Sequence, residues 1–419
     1  VSLLIKDVLL DGNVTSIYVE GNRIAAIGGK ARVEADTVID GKGKAAVPGF
    51  VNTHTHAAMT LLRSYADDLP LQEWLEKAIW PREAKIEPQD IYWGTKLACL
   101  EMIKGGTTTF NDMYFHMDHA ARAVKEMGLR AVLSEGFIDL RDPDMGEQLL
   151  KKQTATIRKI EGTGTDRIKA ALGPHAIYTV SRESLQAIKE LSDDKGYPVH
   201  LHLAETKREV EDCVTQQGMR PVKYLESLGL LSRQLVAAHC CWLEPEEIDL
   251  LARDGVRVSH CPVSNMKLGS GAMPYRALRE AGVLISLGTD GPASNNNLDM
   301  LESMKFAALL QKFANADPTV APAAEVFEMA TLAGARALGL DCGLIEEGRL
   351  ADLILIDLRR PELNPLHDLK SILVYSAHGN VVDTVVCDGQ VLMKARKVPG
   401  EAEIVRKAAE AGRDLASRE

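Results

Sequence analysis

Three short stretches of the chain place histidines and carboxylates where one divalent ion can collect them. Asn52-Thr53-His54-Thr55-His56 follows the apolar run PGFV. In an extended strand residues i and i+2 point the same way, so His54 and His56 can reach a single ion together. An H-x-H pair alone is a weak signal, and its force comes from company. Val199-His200-Leu201-His202-Leu203-Ala204-Glu205 ends a second apolar run with His202 and, three residues later, a carboxylate. Leu287-Gly288-Thr289-Asp290-Gly291 delivers an aspartate into a glycine-containing turn, and LVAAHC carries one more histidine, His239.

Taken jointly, His54, His56, His202 and Asp290 are the candidate ligands of one divalent metal per chain. Three nitrogens and one oxygen with an open position suit Zn²⁺, with Fe²⁺ or Mn²⁺ as alternatives, and such an ion acidifies a bound water. The remaining groups then have chemical roles. Glu205 can carry a proton from that water to a substrate, while His239 and Asp290 can orient or deprotonate the nucleophile. His200 is expected on the side of its strand opposite His202, as a packed or hydrogen-bonded histidine outside the ligand set. His260, in Ser259-His260-Cys261-Pro262, also ends an apolar run and is assigned a supporting role. His116, His119, His367 and His378 read as surface or structural residues. Met59, Trp74 and Trp80 either cover a substrate mouth or pack in a core.

These residues lie far apart in the chain, so the fold must gather them. From about Pro48 onward, apolar runs alternate with amphipathic helical patterns, which implies a parallel sheet built from β-then-α units. The runs IKAALGPHA, PVHLHLAET, LVAAHC, VRVSHCP and VLISLGTD end in His, Glu, Cys or Asp. A closed barrel gathers all its strand ends around one mouth, so a distorted (β/α)₈ TIM barrel is expected over residues 48–344. The first 47 residues and residues 345–398 have strand-and-turn texture instead, as in SIYVEGNRIAAIG and NVVDTVVCDGQVLMKARKV. The two flanks are expected to pair as one small composite β-sandwich domain, followed by a C-terminal helix over 399–419.

Bulk properties narrow the function classes. The 419 residues are 46% hydrophobic and 26% charged, which describes a folded globular chain. A formal charge of -10 argues against a phosphate-backbone binder, which needs a basic surface, so no nucleic acid partner is expected. Seven cysteines without a C-x-x-C pair suggest neither a zinc ribbon nor a disulfide framework and fit a reducing cytoplasm. The opening VSLLIKDVLLDG lacks a basic leader region, and no run of 18 apolar residues occurs, so neither export nor a membrane partner is expected.

With these residues in view, the chain resembles the amidohydrolase superfamily, in the branch that deaminates methylthioadenosine, S-adenosylhomocysteine and 5′-deoxyadenosine. The resemblance rests on PGFVNTHTHAAMTLLRSYADDLPLQEWL, EMIKGGTTTFNDM, GPHAIYTVS, HLHLAET, SHCPVSNMKLGSG, SLGTDGPASNNNLDM and GRLADLILID. It implies the composite β domain beside a distorted barrel, and it implies His54, His56, His202 and Asp290 as metal ligands. Glu205 becomes the proton shuttle at purine N1, and His239 the helper beside the attacking hydroxide. Glu83, in Trp80-Pro81-Arg82-Glu83, takes the place of a carboxylate that binds ribose hydroxyls, and His175 that of a second substrate contact. The implied reaction is attack of metal-activated hydroxide at C6 of the adenine ring, with release of ammonia and the inosine analogue. Arg141 is a candidate cation for the carboxylate of an S-adenosylhomocysteine substrate. Homo-oligomerisation and a place in the salvage of S-adenosylmethionine by-products follow from the resemblance alone.

Other readings of the same residues are a guanine or triazine deaminase or chlorohydrolase, a cyclic-amide hydrolase, and a non-catalytic scaffold. A cyclic-amide hydrolase of this kind uses two metals bridged by a modified lysine at the fourth strand. Here Lys169 of Arg167-Ile168-Lys169-Ala170 lies near the start of that strand, which disfavours a binuclear site. A scaffold loses ligands, whereas every expected ligand is present.

Overall fold

The alternating apolar and amphipathic segments after Pro48 form eight parallel strands in one sheet whose spatial order follows the chain. These are β1 (Phe50–Thr55), β2 (Thr107–Tyr114), β3 (Arg130–Phe137), β4 (Ile168–Pro174), β5 (Val199–Leu203), β6 (Leu235–His239), β7 (Arg257–His260) and β8 (Leu284–Leu287). All residues of β1, β2, β5 and β6 are buried, as expected of a sheet wrapped by helices on its outside and filled by side chains within. The computed structural model describes residues 2–30 and 34–418. Residues 1, 31–33 and 419, which belong to the expected flanking domain and C-terminal helix, lie outside the described residues.

The barrel closes between β1 and β8 in an unusual way. No ladder of paired residues joins these two strands among the described residues; side chains do the joining. Asn52 donates to Thr289 Oγ1 at 2.7 Å and accepts from Thr289 N at 3.0 Å. Thr53 Oγ1 lies 2.9 Å from Ser286 Oγ and donates to the Leu287 carbonyl at 3.0 Å. One main-chain bond, from Asp290 N to His54 O at 2.9 Å, completes the seam. Gly288 makes this approach possible, since a Cβ there would stand 2.8 Å from His54 Cβ and 2.7 Å from Ser259 Oγ.

The flanks form a second, mixed sheet of eight strands. The strand Lys44–Pro48 pairs antiparallel with Leu353–Asp357, so the two ends of the chain meet in its middle. The expected sandwich therefore takes the form of one hydrogen-bonded sheet, with its own core of residues such as Leu3, Ile5, Ile17, Ile39, Leu353 and Val386. The helix Glu401–Ser417 packs against the barrel helix Pro88–Gly105. Among the described residues no helix is long and apolar enough to cross a membrane. All seven cysteines are free and buried.

A buried ion network ties the sheet to the barrel. Arg130, at the start of β3, holds Asp352 through Nε at 2.9 Å and Nη2 at 3.3 Å, and reaches Asp388 at 2.9 Å. The Arg130 and Asp352 side chains are 4% and 1% exposed, so removing Asp352 leaves a buried guanidinium with only the more exposed Asp388 as partner. Asp352→Ala is expected to lower unfolding stability by about 3–5 kcal/mol, measured by denaturant titration. A loss under 1 kcal/mol would show that the network does not hold the two parts together.

Candidate metal centre and active site

At the ends of β5, β6 and β8 the chain turns over the mouth of the barrel, and the backbone is unusual at these turns. Ala204, His239, Cys240 and Asp290 all have positive φ, at 48°, 71°, 51° and 63°. Non-glycine residues seldom adopt this region, and where they do the surrounding structure over-determines them. Here the backbone turns back over the barrel axis and carries His239 and Asp290 inward.

Four donor atoms converge as a result. Asp290 Oδ1 lies 3.3 Å from both His54 Nε2 and His56 Nε2, and His202 Nε2 lies 3.2 Å from His56 Nε2. Donors that share one ion at about 2.0–2.1 Å stand about 3 Å apart, and these three separations fit that spacing. The far nitrogen of each ring is occupied. His56 Nδ1 meets the Met113 carbonyl at 2.6 Å, His202 Nδ1 the His175 carbonyl at 2.7 Å, and His54 Nδ1 the His200 Nε2 at 2.7 Å. His54 Nε2 is buried without a hydrogen-bond partner. A cation satisfies that nitrogen and offsets the repulsion among facing lone pairs.

Burial pushes the His54 imidazole down to about 4 and His202 well below the usual range, so both are neutral and able to ligate. Burial works against ionised Asp290, but the surrounding imidazoles, His54 first and then His56 and His239, outweigh it and hold this carboxyl well below its ordinary value. Its second oxygen accepts from Ser264 at 2.6 Å and Ser294 at 2.9 Å.

The cluster has the donors to hold a metal ion, and sequence comparison places the chain in a hydrolase family. The profile described as the amidohydrolase family matches residues 45–392. The chain belongs to the amidohydrolase family. It is 52% identical to 5-methylthioadenosine/S-adenosylhomocysteine deaminase 1 of Archaeoglobus fulgidus, over 97% of this chain and 96% of that protein. It is also 52% identical to the 5′-deoxyadenosine deaminase of Methanothermobacter thermautotrophicus, over 93% of this chain and 91% of that one. Among solved structures, an adenosine deaminase from Xanthomonas campestris with bound zinc superposes with a TM-score of 0.93 at 38% identity, over 99% of both chains.

Around the centre of this amidohydrolase runs a cavity lined by His56, His202, Glu205, His239 and Asp290 on one side and by Glu83, Trp74 and Trp80 on the other. Glu205 is buried, accepts from Ser270 at 3.0 Å, and stands 3.8 Å from His239 Nε2. Burial raises its pKa, with only partial opposition from His239. For His239 burial works downward, but the charges of Glu205 and Asp290 and the Asn265 side chain at 2.8 Å outweigh it, so its pKa is raised. Burial pushes the Glu83 carboxyl up to about 7, and the neighbouring Tyr114 hydroxyl opposes this only in part. His175 lines the cavity too, with Nδ1 2.9 Å from Thr179 Oγ1 and a pKa pushed by burial down to about 3.

A second cavity continues outward from the first, sharing Trp80, Glu83, Phe115 and Ile138 with it and adding Leu140, His116 and Lys152. Arg141 is exposed and lines neither cavity. Met59 and Trp74 are both buried and cavity-lining, so packing and covering the mouth are one role for them. Lys169 is exposed, away from the centre.

His200 is not where the sequence reading put it. Residues two apart on a strand share a face, so His200 lies on the same side as His202 and against His54, one layer deeper in the barrel. His260 is fully buried with neither ring nitrogen bonded. Several supporting residues carried no sequence signal of their own. Glu209 accepts from Ala204 N and Glu205 N, both at 2.8 Å, and so fixes the turn that presents Glu205. Ser264, Asn265 and Ser270 lie within residues 259–271, but nothing in their spacing shows that they reach three different partners.

His202→Ala is expected to reduce retained zinc from about one ion per chain to a small fraction after loading and desalting, with the circular dichroism spectrum unchanged. Full zinc retention would place the metal elsewhere.

Proposed function

We propose that this amidohydrolase deaminates adenosines altered at the 5′ carbon, including 5′-deoxyadenosine, 5′-methylthioadenosine and S-adenosylhomocysteine. The observation that carries this reading is the position of Glu83, on the wall shared by the inner and outer cavities. With the purine against Glu205 and the metal ligands, the ribose falls at Glu83 and the 5′ group in the outer cavity. The curated relatives named for these substrates support the same reading.

We take the metal to be a single Zn²⁺, with Fe²⁺ and Mn²⁺ as alternatives, held by His54, His56, His202 and Asp290. When bound, such an ion lowers the pKa of a coordinated water toward neutrality and so supplies the nucleophile. Glu205, protonated more readily than an ordinary glutamate, gives its proton to purine N1, which makes C6 electrophilic. His239, with its raised pKa, is placed to stabilise charge developing on the oxygen added at C6. Ionised Asp290 would take one proton from the water and pass it to the amino group, which leaves as ammonia, while the second proton of the added oxygen returns to Glu205 as the C6 carbonyl forms. His175, neutral and anchored through Thr179, contacts the nucleoside.

The outer wall is apolar apart from Glu83, His116 and Lys152. Lys152 stands 2.7 Å from the buried Glu135 carboxylate and is half-exposed. Methylthio and methyl ends need no cation. The carboxylate of S-adenosylhomocysteine would meet Lys152, whereas the sequence reading looked to Arg141. Self-association, expected from the family resemblance, is tested by light scattering.

Metal-loaded protein incubated with adenosine, 5′-deoxyadenosine, methylthioadenosine and S-adenosylhomocysteine tests the whole proposal, with ammonia release as readout. A 5′-modified nucleoside is expected to react faster than adenosine, and Glu205→Gln to lower kcat by about 10²–10⁴-fold. No turnover by metal-loaded protein would refute the reading and direct the screen to guanine and triazines. Lys152→Met is expected to lower kcat/KM about tenfold for S-adenosylhomocysteine and little for methylthioadenosine. Equal losses on both would exclude Lys152 as the carboxylate contact. Glu83 accepts two hydroxyl hydrogen bonds only when ionised, and its carboxylate form is lost as pH falls through about 7. KM should therefore rise below pH 7 in the unaltered enzyme and stay flat with pH in Glu83→Gln.

A further inference from the structure

The three imidazoles of the metal cluster are not held in the same way. For His56 and His202 the partner of Nδ1 is a main-chain carbonyl, which only accepts. Each of these rings must therefore carry its proton on Nδ1, leaving the Nε2 lone pair for the ion. The partner of His54 Nδ1 is another imidazole, His200 Nε2, at 2.7 Å with the rings perpendicular. That nitrogen accepts only while the His200 proton sits on its other nitrogen. With the opposite tautomer, His200 would donate to His54, move the His54 proton to Nε2 and point it into the cluster.

A neighbouring side chain bears on the tautomer. His200 and Asn111 line the same small cavity inside the barrel, and His200 Nδ1 and Asn111 Oδ1 are both buried without hydrogen-bond partners. The Asn111 amide nitrogen is bound to the Thr53 carbonyl at 2.9 Å, so the amide orientation is set and its free atom is an acceptor. With the proton elsewhere the two atoms would be two acceptors in one cavity with no donor between them, and a proton on His200 Nδ1 supplies that donor.

We propose that His200 is a positioning residue for the metal centre, which with Asn111 holds His54 in the tautomer that can ligate. It does not touch the ion or the substrate. The inference rests on the reading of His54 as a ligand, and the test separates the two.

Zinc affinity is measured by competition with a chromophoric chelator, alongside the melting temperature of the metal-free protein. His200→Leu is expected to weaken zinc binding about 10–100-fold while the metal-free melting temperature changes little. His200→Gln, whose side-chain oxygen can accept from His54 Nδ1, should recover most of the affinity, and Asn111→Leu should lose part of it. Wild-type affinity in His200→Leu, or a Gln variant as weak as the Leu variant, would overturn the proposal. Should His200→Leu fail to fold, the nitrogen NMR spectrum of the metal-free native protein decides, because a His54 proton on Nε2 would equally overturn it. His202→Ala serves as the benchmark: if it too binds zinc like the native protein, the ligand assignment fails rather than the role of His200.

Discussion

Everything in this fold answers to one electrostatic constraint, the packing of three imidazole lone pairs and a carboxylate oxygen into a space the size of one ion. Two of the separations are 3.3 Å and another 3.2 Å, close enough that the donors repel unless a cation sits among them. A centre of this kind requires ligands that are neutral or anionic before the ion arrives and cannot rotate away. Burial supplies the first condition by keeping His54 and His202 unprotonated. Hydrogen bonds at the far nitrogens supply the second. The left-handed residues at the strand ends are a local backbone cost of bringing His239 and Asp290 over the axis, and the surrounding packing must offset it.

The same enclosure gives the carboxyl groups of the mouth different characters. Asp290, among imidazoles and two serine hydroxyls, stays ionised. Glu205 and Glu83, with fewer compensating donors, are pushed toward the protonated form. Glu209 is raised to about 7 by burial although two backbone amides bind it. One apolar cavity thus holds carboxyl groups that differ in charge because they differ in neighbours, and the roles proposed for Asp290, Glu205 and Glu83 follow that difference.

Much of this was legible in the residues because strand periodicity and strand ends leave plain marks. The H-x-H pair, the HLHLAET run and SLGTD each place a polar residue after an apolar strand, and a barrel is the architecture that unites such ends. What stayed hidden depends on contacts between distant segments. Asn265 reaches His239 and Ser264 reaches Asp290 across the mouth, each over 26 positions, and no local pattern encodes that. Lys152 lies midway along a helix whose exposed face is rich in lysine, so its place on a cavity wall has no sequence signature. The misplacement of His200 has another origin: the period of two that pairs His54 with His56 equally pairs His200 with His202.

The seam between β1 and β8 bears on how the molecule comes to exist. Its hydrogen bonds join residues 233 to 237 positions apart, and the histidine pair and the aspartate of the candidate metal cluster stand on its opposite sides. On a ribosome the first strand must therefore wait, unpaired along that edge, until nearly the whole barrel has been made. Loop-closure entropy makes so distant a pairing late and slow. An ion that bridges the two edges would then act as a clasp on a ring that the seam's own hydrogen bonds have already closed.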